Sequence, residues 1–349
     1  MIDQHNVQGT GPASAGPVLR RSPSNVRGQL QAGRVRRASQ WRDTITRIAD
    51  VDTRANPEVQ GRISAPKATQ FGGGAGFALI LIGLVLIGFV VQAIGISQLR
   101  HSRDQTLLYE QFRYSLADAT APVGQVDPEG ELYPLGTPVA LVSIPSIGVN
   151  EVVLEGTSSR TMLSGPGHRR DTALPGQTGS AVIMGRQGSY GGPFRHITAL
   201  AKGDTITTTT GQGIATYTVD AVRYAGDPQP LAPDAGKGRL TLVTASGPTF
   251  LPSGVVRVDA TLTSAPFQTP APVLLVGSLG DDEMALGHDE SGLLPLLLIL
   301  ELAVVAVLVF TLALRRWGRW HTWVVAVPVT IVIGCTIAEQ VTVLLPNLY

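Results

Sequence analysis

Cysteine is almost missing from this chain: its 349 residues include one, Cys335. No intrachain disulfide is possible, so an exported domain has to be held by its core. Charge is sparse too, with Asp, Glu, Lys and Arg at 15% against 44% hydrophobic residues, a balance that leans toward a membrane protein. The formal net charge of +1 singles out no class of partner. A cleavable signal peptide is not expected, because a long polar tail precedes the first apolar run.

What is present begins with apolar runs. Three stretches, near 76–98, 292–314 and 322–345, reach the roughly 20 residues that a bilayer span needs. They predict three transmembrane α-helices. Residues 1–75 carry eleven Lys and Arg against five Asp and Glu, and the loop 315–321 is basic. Both belong on the cytoplasmic side, which places 99–291 and a short C-terminus, 346–349, outside. The tail 1–75 is rich in Gly, Pro, Ser, Gln and Arg and reads as disordered. Within it Trp41, Ile45 and Ile48 share a helical face that would suit an anionic lipid surface. Nucleic-acid binding is not expected, since no aromatics interleave the arginines as a reading surface.

Between the spans, Leu108, Phe112 and Leu116 recur every four residues and predict a short amphipathic helix in the segment 99–136. Seven β-rich runs then lie within 137–264, from Val139–Ile144 to Val255–Leu262, separated by Gly, Pro, Asn and Asp; this is the rhythm of a sandwich or barrel. Segment 265–291, Pro-rich and then acidic, reads as a solvated linker. A calcium site there is not expected, because EF-hand spacing is absent; no metal or cofactor is expected elsewhere.

The chemistry-bearing runs are ordered. They are Gly165-Pro166-Gly167-His168, Thr172-Ala173-Leu174-Pro175-Gly176, Gly185-Arg186-Gln187, Tyr190-Gly191-Gly192-Pro193-Phe194, the Phe194–Asp204 stretch, and Thr241-Leu242-Val243-Thr244-Ala245. Together they resemble the sortase family, cysteine transpeptidases of Gram-positive envelopes, and within it the class E type of actinobacteria. The resemblance implies an eight-stranded β-barrel, making the fold mainly β. It also implies a Gly-His-Arg histidine where this chain has Arg186, and a nucleophilic cysteine where it has Ala245. The family's arginine falls at Val255, with Arg257 two residues on and on the same strand face if no bulge intervenes.

Ala245 has no nucleophilic atom, and an arginine stays protonated near neutrality and cannot serve as acid and base in turn. The chain is therefore expected to be a catalytically silent sortase homologue, displayed outside the cell as a binding or assembly module. Its partner would be an envelope or membrane protein or a sorting-signal-like peptide. The candidate cleft comprises Arg186, Ala245, Arg257, Thr244 and His168; His168 is expected on the surface of its loop, and Thr244 and Ser246 are expected to point away from the cleft. Two other readings stay open: a residual enzyme with a nucleophile such as Ser246 or Thr244, and a structural subunit that uses the barrel as a spacer. Glu301 and Glu339 lie at similar depth in their spans, where ionisable groups are costly. They either meet across the hairpin or are protonated and bonded locally, for example near Thr336 or Gln340.

Overall fold

A computed structural model describes residues 71–248 and 253–349. The expectations for the N-terminal tail, including Trp41, Ile45 and Ile48, lie outside the described residues. Helix α1 (Phe71–Val91) passes through a π-helical turn (Gln92–Ile96) into α2 (Ser97–Ala117) without a break. Sequence reading separated a span from a short helix; the structure joins them because no proline interrupts the run. The π turn, closed by the Ser97 N–H on the Gln92 carbonyl, inserts one residue per turn. Gln92 is buried and donates to the Tyr190 hydroxyl at 3.4 Å.

Helix α2 lies on the barrel through the predicted face: Phe112 is buried with Val152 and Leu154, and Leu108 and Leu116 pack beside it. Gln105 acts as a surrogate strand partner. Its amide oxygen accepts from the Val152 N–H at 2.7 Å, and its amide nitrogen donates to the Val152 and Ser164 carbonyls.

Eight strands follow: β1 (Pro138–Ile144), β2 (Val149–Glu155), β3 (Gly167–His168), β4 (Gly179–Met184), β5 (Thr205–Thr210), β6 (Gly213–Arg223), β7 (Gly238–Ser246) and β8 (Gly254–Leu262). They close in the order β1-β2-β3-β4-β7-β8-β6-β5. Pairs β2–β3 and β4–β7 are parallel and the others antiparallel. Seven strands coincide with the β-rich runs; the two-residue β3 is too short to stand out. Alternation sends Val142, Ile183, Ile206, Leu240, Leu242, Val256 and Val258 into one apolar interior. Each such aliphatic side chain contributes about 1.5–3 kcal/mol when fully buried.

Segment 265–291 is not a solvated linker. The Phe267 N–H donates to the Gly176 carbonyl, Gln125 accepts from the N–H groups of Val273 and Leu274, and buried Glu283 takes a two-pronged contact from Arg170. Glu283 reads as solvated in the sequence because its partner, Arg170, comes from a distant part of the chain.

Helices α3 (Leu293–Trp317) and α4 (Arg319–Leu344) complete the fold. The expected basic loop is reduced to Gly318, whose φ of 84° turns the chain in one residue; Arg315, Arg316 and Arg319 sit on the helices themselves. Among the described residues two helices, not three, are long and apolar enough to cross a membrane: Glu290–Trp317 and Arg319–Leu344. Ile82–Val91 counts only as a shorter apolar helix. Helix α4 packs against both α1 and α3. At its crossing with α1, a Cβ on Gly334 would stand 2.8 Å from the Val85 carbonyl oxygen, so only glycine permits the approach.

Glu301 and Glu339 do not meet. Glu339 pairs with Arg100 at 2.5 Å, whereas Glu301 is exposed with no ion pair among the described residues. The π turn carries the helical path from α1 into α2, whose first turn puts Arg100 within reach of α4.

Candidate binding cleft

Parallel pairing of β4 with β7 builds the site. Met184 lies beside Val243, so extending the register by two residues brings Arg186 beside Ala245. The Gly185 N–H donates to the Val243 carbonyl, and the Thr244 hydroxyl donates back to the Gly185 carbonyl at 2.6 Å. Gly185 has to be glycine: a Cβ there would stand 2.5 Å from the Phe194 ring. Along β7, Leu240 and Leu242 face the barrel interior, while Val243 and Ala245 face an outer apolar patch with Met162, Met184 and Val255.

Arg186 is 0% exposed. Its guanidinium presents five N–H groups, and each has an acceptor. Nε donates to the Met162 carbonyl at 3.1 Å. Nη1 donates to the Ser189 hydroxyl at 3.2 Å and to the main-chain oxygen of Tyr349 at 3.1 Å. Nη2 donates to the Ser159 carbonyl and hydroxyl, both at 2.8 Å. The Tyr190 ring lies 5.8 Å from its Cζ, within cation–π range. No Asp or Glu side chain pairs with it among the described residues. Burial pulls its pKa down to about 10, which still leaves the group charged at neutral pH.

The cleft is occupied by the chain itself. After α4 ends at Leu344, residues 345–349 turn onto the barrel. Leu348 is 0% exposed inside the patch that holds Ala245, and its carbonyl accepts from the Gln187 N–H at 3.0 Å. Asn347 donates from its amide to the Thr157 carbonyl at 2.7 Å and the Met284 carbonyl at 2.8 Å, and its N–H donates to the Gly287 carbonyl. The Ser159 hydroxyl donates to the Thr342 and Leu345 carbonyls, tying the end of α4 to the residue that receives Arg186.

The other predicted residues separate. Arg257 stands opposite Val243, two pairs along from the Ala245–Val255 pair, on the outer face. It is partly exposed, makes no hydrogen bond or ion pair among the described residues, and burial together with Arg223 lowers its pKa. Thr244 is buried on the inner side, its hydroxyl committed to Gly185. Its neighbour Ser246 is partly exposed.

His168 is a correction. Expected on the surface, it is 0% exposed, with Nδ1 at 2.9 Å from the Glu155 carboxylate and Nε2 at 2.9 Å from the Ala173 carbonyl. With an acceptor at each nitrogen, the ring is built to hold both protons. Burial alone lowers its pKa, but the charge and hydrogen bond of Glu155 outweigh that and raise it above the ordinary value. It braces β2, β3 and β4 and does not reach the cleft. Ser159, Met162, Ser189, Asn347 and Leu348 were not foreseen. The available signal was the segment after α4, Leu345-Pro346-Asn347-Leu348-Tyr349, which carries no charge and three large apolar side chains, unlike an exposed tail.

Residues 142–254 match the Sortase domain. A search among curated proteins found no match. Among solved structures, sortase E from Streptomyces avermitilis is 31% identical, covering 38% of this chain and 91% of that one with a TM-score of 0.33. A mutant of the same protein is 33% identical at the same coverage, with a TM-score of 0.32. The sortase D5 transpeptidase of Clostridium perfringens is 24% identical, covering 46% of this chain and 99% of that one with a TM-score of 0.39. On the domain match, residues 142–254 of this chain are a sortase domain.

Proposed function

We propose that this is a catalytically silent, membrane-anchored sortase homologue whose barrel works outside the cell as a binding or assembly module of the envelope. One observation carries the reading: at the position of the family's histidine, Arg186 spends all five N–H groups on structural acceptors, beside an Ala245 that offers a methyl group. Acyl transfer needs a nucleophile and a group that exchanges a proton near neutral pH; neither residue supplies one. Thr244 is a poor substitute nucleophile, since its hydroxyl is buried and engaged by Gly185. Two helices of spanning length support anchoring, and the basic residues of the N-terminal tail and around Gly318 favour the cytoplasmic side for both. The partner is an envelope or membrane protein, or a peptide of the sorting-signal type.

The test is the full-length chain in detergent micelles, incubated with a sorting-signal peptide and an amine acceptor and followed by mass spectrometry. The expected result is intact peptide and unmodified protein. Cleavage, transfer or an adduct on Ser246 or Thr244 would overturn the proposal.

A further inference from the structure

We propose that residues 345–349 are a built-in peptide ligand of the barrel, and that the cleft around Ala245 and Arg186 is a docking site for an extended segment carrying a carboxamide followed by an aliphatic side chain. The latch rests on the non-catalytic reading of the cleft and names what fills it.

The contacts alternate as they do when a protein reads a peptide, with main-chain bonds fixing the register and pockets taking the side chains. Main-chain groups are held at three successive residues: the Asn347 N–H by Gly287, the Leu348 carbonyl by Gln187, and the Tyr349 oxygen by Arg186 and Ser189. Between them, the Asn347 amide is clamped by the carbonyls of Thr157 and Met284, which accept and cannot donate. An aspartate at 347 would therefore meet repulsion. Leu348 fills the apolar pocket whose floor includes Ala245. A sulfur on residue 245 would add an atom to that packed floor, and an imidazole at 186 has too few N–H groups to serve the acceptors that Arg186 serves. The two replacements that remove the chemistry are thus the two that complete the socket.

Two distant parts of the chain form the walls. Ser159 and Met162 precede β3, whereas Met284 and Gly287 belong to the strap 265–291. The Asn347 Oδ1 is buried with no partner, so the amide is read through its donors alone. Because the segment is tethered to α4, its effective concentration at the cleft is on the order of millimolar. A free peptide has to displace it.

The experiment uses the full-length chain in detergent micelles and a fluorescent peptide with the sequence of residues 341–349. In the native chain the tail occupies the site and peptide binding is weak. Asn347→Asp and Leu348→Asp release residues 345–349 and strengthen binding of the added peptide, on the order of a thousandfold for a peptide of micromolar affinity. Leu348→Ala gives a smaller gain and keeps the test usable if an aspartate disturbs folding, which hydrogen exchange of β7 reports. Binding no stronger in all three variants than in the native chain would overturn the latch while leaving the non-catalytic reading intact. Recovery of cleaved peptide would instead overturn the non-catalytic reading and leave the docking in place.

Discussion

The inner and outer faces of strand β7 do different work. Leu240 and Leu242 point into the barrel and join the main apolar cluster with Ile183, Val256 and Val258. Val243 and Ala245, one residue out of phase, point to a cleft with a buried cation on one side and a segment of the same chain across it. The inner face is closed by strands that the barrel itself supplies. The outer face is closed by two additions, the strap 265–291 and the segment 345–349. A scaffold whose stability resides on one face can change its chemistry on the other, and the proposed silent cleft around Arg186 and Ala245 rests on that separation.

The contrast can be broken most sharply from the inside. Leu242→Ala opens a cavity in the interior and is expected to lower barrel stability by about 2–5 kcal/mol, read as a shift in the denaturant midpoint of the full-length chain. An effect below about 1 kcal/mol would show that the interior does not dominate.

A middle effect comes from His168, which belongs to neither face but joins β2, β3 and β4. Its raised pKa means that protonation stabilises the fold: the contribution is fully present below the ordinary value of 6.5 and is lost as pH rises through the higher folded value. Stability should therefore decline across that window on the alkaline side of 6.5, and His168→Gln should flatten the decline. A native profile that rises with pH there would contradict the ion pair with Glu155.

The smallest effect sharpens the boundary of the cleft. Arg257 shares the outer face but bonds to nothing among the described residues, so Arg257→Ala should change stability by no more than about 0.5 kcal/mol and leave Arg186 and the tail in place. A larger loss, measured in the same denaturation experiment, would extend the site along β8.

The difference between the faces also explains what was legible in the sequence. β-rich runs bounded by turn residues revealed seven strands, and the motif runs singled out 186 and 245, because both signals are local. The two-residue β3, the burial of His168 and the closure of the cleft depend on residues far apart in the chain. Glu155 meets His168 only once β2 and β3 pair, and Asn347 meets Thr157 and Met284 only once α4 returns to the barrel. Segment 265–291 carries the composition of a linker, and nothing in its own sequence reveals that Arg170 and Gln125 wait for it. The junction after the first apolar run was missed for a related reason: the helix continues into the polar α2, and the π turn that joins them leaves no mark in composition.

Amide hydrogen exchange of the full-length chain at Gln187 and over residues 341–349, compared between the native protein and Arg186→Met, tests the central claim most directly. If the cleft is a filled socket rather than a reaction centre, the amides of Asn347 and Gln187 are protected in the native chain and exchange faster when Arg186 is lost. Exchange of residues 345–349 at the rate of free peptide in the native chain would contradict it.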